Sequence, residues 1–111
     1  MTRYTMGVSF EYLVRDYLKA QGYSCVRSAG SKGAVDLVCW SPDEILFCQC
    51  KKESSKRTYQ RDKQKLLSLP IPANGKLLLW IKRGQNVIVH TIGTGKVCEL
   101  DIKKMRSVAS P

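Results

Sequence analysis

The 111-residue chain combines an ordinary apolar fraction, 43%, with an unusually high positive charge. Its length suffices for one hydrophobic core without disulfides or metals, so we expect residues 1–111 to form a single domain. Nineteen Lys and Arg against nine Asp and Glu give a formal net charge of +10 at pH 7. Such a charge favours a polyanionic partner, either nucleic acid or an anionic membrane; the alternative is a basic surface that only aids solubility.

Several classes of protein are disfavoured by simple features of the sequence. The longest apolar run, 77–81, is too short to span a bilayer, and Glu11, Arg15 and Asp16 interrupt any signal-peptide core. Five cysteines without a Cys-x-x-Cys pair, and a single histidine, argue against a zinc site and for reduced thiols. We therefore expect a cytoplasmic protein, or one of the host cytoplasm if its source is viral.

The first half of the chain predicts a helix followed by three strands. Residues 6–21 carry an apolar stripe at helical spacing, and Gly22 follows in the usual position after a helix end. Small residues at 28–33 predict a loop, and a Ser-Pro-Asp-Glu segment predicts a turn. The three predicted strands form an antiparallel meander and cover residues 25–27, 35–40 and 45–51.

The second half predicts another helix and two or three more strands. The helix covers 54–69 and stops at Pro70, with a thin apolar stripe and a basic face. Strands are predicted at 76–82 and 87–92, with a short segment at 97–100, and the polar tail from Lys103 is expected to fray. The order α-β-β-β-α-β-β predicts an α/β fold with a central mixed sheet flanked by helices.

Polar side chains interrupt the apolar runs of two neighbouring predicted strands. Asp36 lies in one strand, and Gln49 and Lys51 lie in the next. Because side chains alternate along a strand, Gln49 and Lys51 share one face, and the opposite face is apolar. A carboxylate among apolar residues needs an ion pair, hydrogen bonds or a metal, since isolated buried charge is costly. Asp36 is therefore expected to have such a partner.

These residue types suit the hydrolysis of a phosphodiester, which needs an activated water and neutralisation of negative charge. Asp36 would anchor Mg²⁺ or Mn²⁺, with the Gln49 side-chain oxygen and the Cys50 backbone carbonyl as neutral ligands. Lys51 would hold the attacking water or the phosphate, and Glu11 would add a second negative charge. The alternative is structural: an acid and a lysine on neighbouring strands often form only a salt bridge, and a helix acid is often only solvated.

Two segments, the first helix with the strand and loop that follow it and the later strand around Lys51, together resemble the archaeal Holliday junction resolvases of the PD-(D/E)XK nuclease superfamily. They contain the helix acid Glu11, the Arg-Ser-Ala-Gly-Ser loop 27–31 with the following Asp36, and a strand that ends in x-x-Lys at Lys51. The likeness covers roughly the first half of the chain, with the pieces in the family's order and spacing. It implies a restriction-endonuclease-like domain with metal-dependent nuclease activity on DNA.

The resemblance also assigns roles to individual positions. It implies that the metal-binding aspartate is Asp36, the catalytic lysine is Lys51, the helix acid is Glu11, a serine near the scissile phosphate is Ser31, and a contact to the DNA backbone is Arg27. The sequence departs from the family at Gln49, where resolvases carry Glu, and at Val35, where the family has Pro. Related Mrr-type restriction nucleases accept Gln at that position.

A basic run follows the candidate site directly and is expected to contact DNA phosphates. Its alternative is a solvated helix face. Tyr59, Trp40 and Trp80 are suited to stacking on bases, but we expect them to pack in the core instead. The candidate DNA-binding residues, from the loop and this run, are Arg27, Ser31, Lys32, Lys52, Lys56, Arg57 and Arg61.

The leading hypothesis is a metal-dependent, structure-selective DNA endonuclease, specifically a junction resolvase. Symmetrical cutting of two strands requires two sites, so we expect a homodimer, with apolar residues at 87–89 in its interface. Three alternatives stay open at this point: another PD-(D/E)XK nuclease of restriction, repair or viral type, a DNA-binding protein of the same fold without catalysis, and an RNA-binding or nuclease-like accessory factor.

Overall fold

The computed structural model describes the backbone of residues 3–28, 34–52 and 56–109, and the side chains of the same ranges from residue 9 onward. The fold alternates helices with groups of strands, which agrees with the predicted α/β class. In chain order the elements are α1 (Arg3–Ala20), β1 (Ser24–Arg27), β2 (Leu37–Trp40), β3 (Ile45–Lys52), α2 (Lys56–Leu67), β4 (Gly75–Arg83), β5 (Asn86–Ile92), β6 (Lys96–Asp101) and α3 (Ile102–Ala109).

The six strands form one mixed sheet in the order in which they occur along the chain. Neighbouring strands are antiparallel except β3 and β4, which are parallel and are connected through α2. Parallel strands need a crossover connection, and a central strand in such a unit is buried on both faces. This explains why β4 contains a continuous buried run, residues 77–81.

Each face of the sheet is covered by a different hydrophobic core. The first core packs α1 and α3 against one face, and the second packs α2 against the other. The buried side of α1 consists of Phe10, Val14 and Leu18, which recur every four residues as the sequence predicts. The helix ends at Ala20, and Gly22 follows it with a φ of 101°, the left-handed conformation that favours glycine.

The prediction that the chain frays from Lys103 is wrong. Residues 102–109 form α3, which packs on α1 and buries Ile102 and Met105 in the first core. Asp101 caps this helix, because its Oδ1 accepts hydrogen bonds from the backbone N–H groups of Lys103, at 2.8 Å, and Lys104, at 3.3 Å. The signal was present in the sequence as a capping acid followed by two apolar residues at helical spacing.

Two expectations about apolar side chains are also corrected. Of residues 87–89, which the sequence analysis places in a subunit interface, Val87 and Val89 are buried in the first core of the monomer and Ile88 is half-buried. Trp40 was expected in the core, but 41% of it is exposed. No helix in the described ranges is long and apolar enough to cross a membrane.

Candidate active site

Asp36 lies just before β2 and is fixed between two residues of β3. Its backbone N–H donates a hydrogen bond to the Cys48 carbonyl oxygen, and its carboxylate Oδ2 accepts one from the Cys50 N–H; both are 2.8 Å long. Because Leu37 pairs with Cys48, the residue opposite Asp36 on β3 is Gln49. The antiparallel pairing of β2 and β3 therefore places Asp36 beside Gln49 at the end of the hairpin.

Gln49 and Lys51 project from β3 toward the α2 side of the sheet. Strand alternation gives them the same face as Phe47, which packs in the second core. Gln49 is 7% exposed, and within the described part of the chain its buried Oε1 has no hydrogen-bond partner. An unpartnered buried acceptor is unusual in a folded protein. It is the behaviour expected of an oxygen that is available to a ligand.

Glu11 approaches the same end of the hairpin from α1, on the opposite side of the sheet. Its Oε1 accepts a hydrogen bond from Nε of Arg27 on β1 at 3.1 Å, and both side chains are largely buried. The Arg27 guanidinium also lies 5.5 Å from the centre of the Tyr12 ring. Arg27 is therefore held against Glu11 and the α1 surface. If Arg27 contacts DNA, its guanidinium must bind both the DNA backbone and Glu11.

The charges around Asp36 act on its pKa in opposite directions. Burial raises the pKa of the Asp36 carboxyl above its ordinary value and is the largest cause. The hydrogen bond from the Cys50 N–H lowers this pKa, the charge of Glu11 raises it, and the charges of Lys51 and Arg27 lower it. Glu11, Lys51 and Arg27 are thus all close enough to Asp36 to affect the pKa of its carboxyl.

Asp62 on α2 is a residue of this site that the sequence analysis missed. It is 1% exposed, and its Oδ1 lies 4.0 Å from Nζ of Lys51. It occupies the gap in the apolar stripe of α2, three residues after Tyr59 and four before Leu66, both of which pack in the second core. A charged residue at a stripe position was the available signal, since such positions normally hold apolar side chains.

The donor atoms at the site fit a divalent cation that binds few protein ligands. Within the described ranges no group of three His, Cys, Asp or Glu side chains is arranged to hold a metal. Asp36 and Gln49, whose Oε1 is unpartnered, are nevertheless opposite each other in the register of β2 and β3 and each offers an oxygen. Mg²⁺ is typically held by one or two carboxylates together with waters and substrate phosphates, so this pair is a sufficient protein contribution.

The candidate DNA-binding residues fall into three groups. Ser31 and Lys32 lie outside the described residues. Arg27 is engaged by Glu11. The remaining four are exposed at the end of β3 and along α2, where they form a basic surface next to Lys51: Lys52, Lys56, Arg57 and Arg61.

A mixed sheet with an acid at the start of one strand and an x-x-Lys segment on its neighbour defines a nuclease-like protein of the PD-(D/E)XK class. The sequence from residue 2 to residue 106 matches the family described as archaeal Holliday junction resolvase, Hjc. The chain belongs to this family, so the resemblance inferred from Glu11, Asp36 and Lys51 is confirmed, and it now extends over both halves of the chain.

One relative and one solved structure are consistent with this assignment. A crossover junction endodeoxyribonuclease, Hjc, of Methanocaldococcus jannaschii is 39% identical over 82 residues, which are 72% of this chain and 61% of the relative. The structure of Archaeoglobus fulgidus Hjc, a Holliday junction resolvase, matches with a TM-score of 0.56 and 19% identity, covering 93% of this chain and 91% of that one. The chain thus spans about three-fifths of the curated relative, and the structural match confirms the fold.

Proposed function

We propose that this protein is a metal-dependent DNA endonuclease that cuts branched DNA, most specifically a Holliday junction resolvase. The observation that carries the proposal is the Asp36 carboxylate, fixed by the Cys50 N–H beside the buried, unpartnered Gln49 Oε1 and on the same side of the sheet as Lys51. The name of the M. jannaschii relative, which is a crossover junction endodeoxyribonuclease, supports the same substrate.

Each residue of the candidate site has a separate role in the proposed cleavage. Asp36 and the Gln49 amide oxygen would hold a divalent cation, and the Cys50 carbonyl is a further candidate ligand. The bound cation would neutralise charge on the phosphate and lower the pKa of a bound water. Lys51 orients the attacking water or contacts the scissile phosphate. Glu11 holds Arg27 through their ion pair and adds negative charge near Asp36, Arg27 is proposed to contact the DNA backbone, and Ser31 is proposed to contact the phosphate.

The rest of the molecule would supply affinity and symmetry. In our proposal, residues 1–111 form one nuclease-like domain, and Lys52, Lys56, Arg57 and Arg61 contact DNA phosphates together with Lys32. Two copies form a two-fold dimer, so that paired sites cut opposite strands of a junction. The protein is proposed to act in the cytoplasm, where chromosomal or viral DNA is available to it.

The proposal is tested by incubating the protein with end-labelled four-way junction, duplex and single-stranded DNA, in Mg²⁺, in Mn²⁺ and in EDTA. We expect metal-dependent, paired nicks in the junction and little cutting of the other two substrates. Asp36→Asn and Lys51→Ala should abolish cleavage while they leave junction binding intact. Cleavage by Asp36→Asn at the wild-type rate would show that the metal is held elsewhere.

A DNA-binding protein without catalysis is the second candidate, and Gln49 is the observation that favours it. An amide carries no charge, so the site has one carboxylate fewer than the family pattern. If this candidate is correct, wild-type protein binds junctions but cuts no substrate with either metal, and Gln49→Glu fails to restore cutting.

A further inference from the structure

Asp62 is a buried carboxylate that the packing of the fold does not require. It lies in the apolar stripe of α2 between Tyr59 and Leu66 and is 1% exposed. Moving a carboxylate out of water costs several kcal/mol, and well-packed apolar residues in place of buried ion pairs are often neutral or stabilising. A leucine would continue the stripe, so stability alone does not account for an acid here.

The surroundings of Asp62 point to Lys51 as its partner. In the described part of the chain, Lys51 is the cation within ion-pair distance, with its Nζ 4.0 Å from Oδ1. This separation is longer than a direct hydrogen bond, which is typically about 2.7 to 3.2 Å. The second oxygen, Oδ2, is buried and has no hydrogen-bond partner among the described residues. The carboxylate is therefore only partly satisfied, and the charged neighbour that the described residues give it is Lys51, the lysine of the candidate site.

The Lys51 side chain is mobile enough for a nearby fixed charge to change its preferred position. It is the next-to-last residue of β3, and its side chain is 36% exposed. A lysine side chain has a flexible four-carbon stem, so an exposed one samples many positions. A fixed negative charge on α2 favours the conformers in which the ammonium stays over the α2 face of β3, where Gln49 also projects.

We infer that Asp62 is a positioning residue for Lys51: its buried carboxylate on α2 holds the Lys51 ammonium at the site where the phosphodiester is cut. The inference rests on the proposed nuclease function. Asp62 itself contacts neither the DNA nor the metal in this arrangement. Its loss should therefore slow the chemical step and leave junction affinity unchanged.

The first test separates cleavage rate from affinity. Asp62→Asn keeps the shape of the side chain and Asp62→Leu fills the apolar stripe, whereas Asp43→Asn makes the same charge change on an exposed turn and is the control. Single-turnover cleavage of a four-way junction, with saturating protein, is compared with the junction Kd. Because small misplacements of a catalytic group cost up to about 100-fold, we expect both Asp62 variants to cut about 10- to 100-fold more slowly, with unchanged Kd.

The second test reads the contact without any cleavage. Lys51→Met is made in the wild-type and in the Asp62→Asn backgrounds, and Tm is measured for all four proteins. Removal of Lys51 leaves the buried Asp62 charge without its cation, so Tm should fall in the wild-type background and fall much less in the Asp62→Asn background. Asp62→Leu alone should raise Tm, because the leucine fills the apolar stripe of α2 and removes the cost of a buried charge.

The outcomes distinguish this inference from the proposed function. If wild-type protein cuts junctions and both Asp62 variants cut as fast as the Asp43→Asn control, Asp62 does not position Lys51. Equal loss of Tm on Lys51→Met in both backgrounds would likewise overturn the contact. If wild-type protein cuts nothing, the nuclease function itself fails, and the role of Asp62 in cleavage fails with it.

Discussion

At the scale of single residues, Gln49 is where this chain departs from its family. The position carries an amide instead of a carboxylate, yet the side chain is buried beside Asp36, and its oxygen has no hydrogen-bond partner in the described ranges. Asp36 in turn is fixed by a backbone hydrogen bond from Cys50. Asp36 and Gln49 thus face each other across the hairpin, and the pair carries one negative charge fewer than two carboxylates would.

The Gln49→Glu substitution should therefore strengthen metal binding. It adds one negative charge beside Asp36, and even outer ligands of metal sites change affinity by about 10- to 100-fold. We expect the Mg²⁺ concentration for half-maximal junction cleavage to fall by about tenfold or more. A titration of cleavage rate against Mg²⁺ measures this. The control is Gln60→Glu on the exposed side of α2, and an equal response of both variants would mean that the added charge acts only at long range.

Glu44 provides a pH-dependent contribution to stability away from the site. It accepts hydrogen bonds from the Tyr23 hydroxyl at 2.7 Å and from Lys76 Nζ at 2.8 Å. The bond from Lys76, followed by that from Tyr23, lowers the pKa of the Glu44 carboxyl, and the bond to Glu44 is the main cause that raises the pKa of Tyr23 to about 12. The stabilising form is the ionised carboxylate.

Glu44→Gln should accordingly destabilise the protein at neutral pH and not in acid. Because the folded pKa is lowered, the contribution is complete above the ordinary glutamate pKa of about 4.3 and is lost as pH falls through the lower folded value. We expect a difference of about 1 kcal/mol at pH 7 between wild type and variant. Urea unfolding over a pH series measures it, with exposed Glu99→Gln as control. A difference that persists below the folded pKa would contradict the assignment.

At the scale of elements, the β3–α2–β4 crossover connects the candidate site to the basic surface. α2 covers the sheet face from which Gln49 and Lys51 project, buries Asp62 and Leu66, and exposes its basic residues. The same helix therefore covers one side of the candidate site and exposes positive charge next to it. This explains why the apolar stripe of α2 is thin, because its exposed positions are occupied by basic residues and one of its buried positions is occupied by Asp62.

Replacement of Lys56, Arg57 and Arg61 by alanine should reduce the salt dependence of DNA binding. Each phosphate neutralised contributes about −0.9 to the slope of log K against log salt, so contacts to four to six phosphates give a slope of roughly −4 to −5. We expect the triple variant to flatten that slope by about 2 to 3. Fluorescence anisotropy over a salt series measures it. The control is the replacement of exposed Lys96, Lys103 and Lys104 by alanine, which removes the same amount of charge away from α2. If the α2 variant keeps the wild-type slope, the basic face of α2 does not contact DNA and is merely solvated.

The C-terminal helix α3 should contribute measurably to stability. Met105 is 1% exposed and packs in the first core with Ile102. Truncation of a buried methionine typically costs about 2 to 5 kcal/mol, and we expect Met105→Ala to lie in this range by chemical denaturation. Arg106→Ala, on the exposed side of the same helix, should change little. Equal stability of Met105→Ala and wild type would mean that α3 is not docked in solution.

At the scale of the whole molecule, the sheet separates two cores and leaves the candidate site at one end. Val87 and Val89 lie on the sheet face that α1 and α3 cover, and both are buried in the first core. A subunit interface therefore does not include Val87 or Val89, whereas Ile88, the third residue expected there, is half-buried. Exposed apolar side chains that remain available are Tyr12, Val26, Trp40, Leu67, Val97 and Val108.

If the protein cuts junctions symmetrically, it should have twice the mass of one chain in solution. Light scattering coupled to size-exclusion chromatography, with and without junction DNA, measures this. Val87→Ala should lower the stability of each subunit through the buried core without selectively changing the dimer. A monomer at micromolar concentration in both conditions would argue against resolution by paired cuts, although single nicks would still be compatible with it.

The sequence by itself determined the features that depend on local periodicity. The apolar stripe of α1, the alternation that gives Gln49 and Lys51 one face of β3, and the pairing of β2 with β3 follow from residue spacing over a few positions. Asp36 and Lys51 could therefore be selected as site residues before the fold was known. Even the capping acid of α3 was local information, outweighed in the prediction by the charge of the tail.

The tertiary structure alone decided what packs on each face and which charges meet. Burial of Val87 and Val89 depends on α1 and α3, which come from opposite ends of the chain, and the approach of Asp62 to Lys51 depends on how α2 crosses from β3 to β4. Such contacts join residues whose spacing in the sequence carries no periodic signal. Their energies come from burial and from charge in a protected environment, which exist only once the chain is folded.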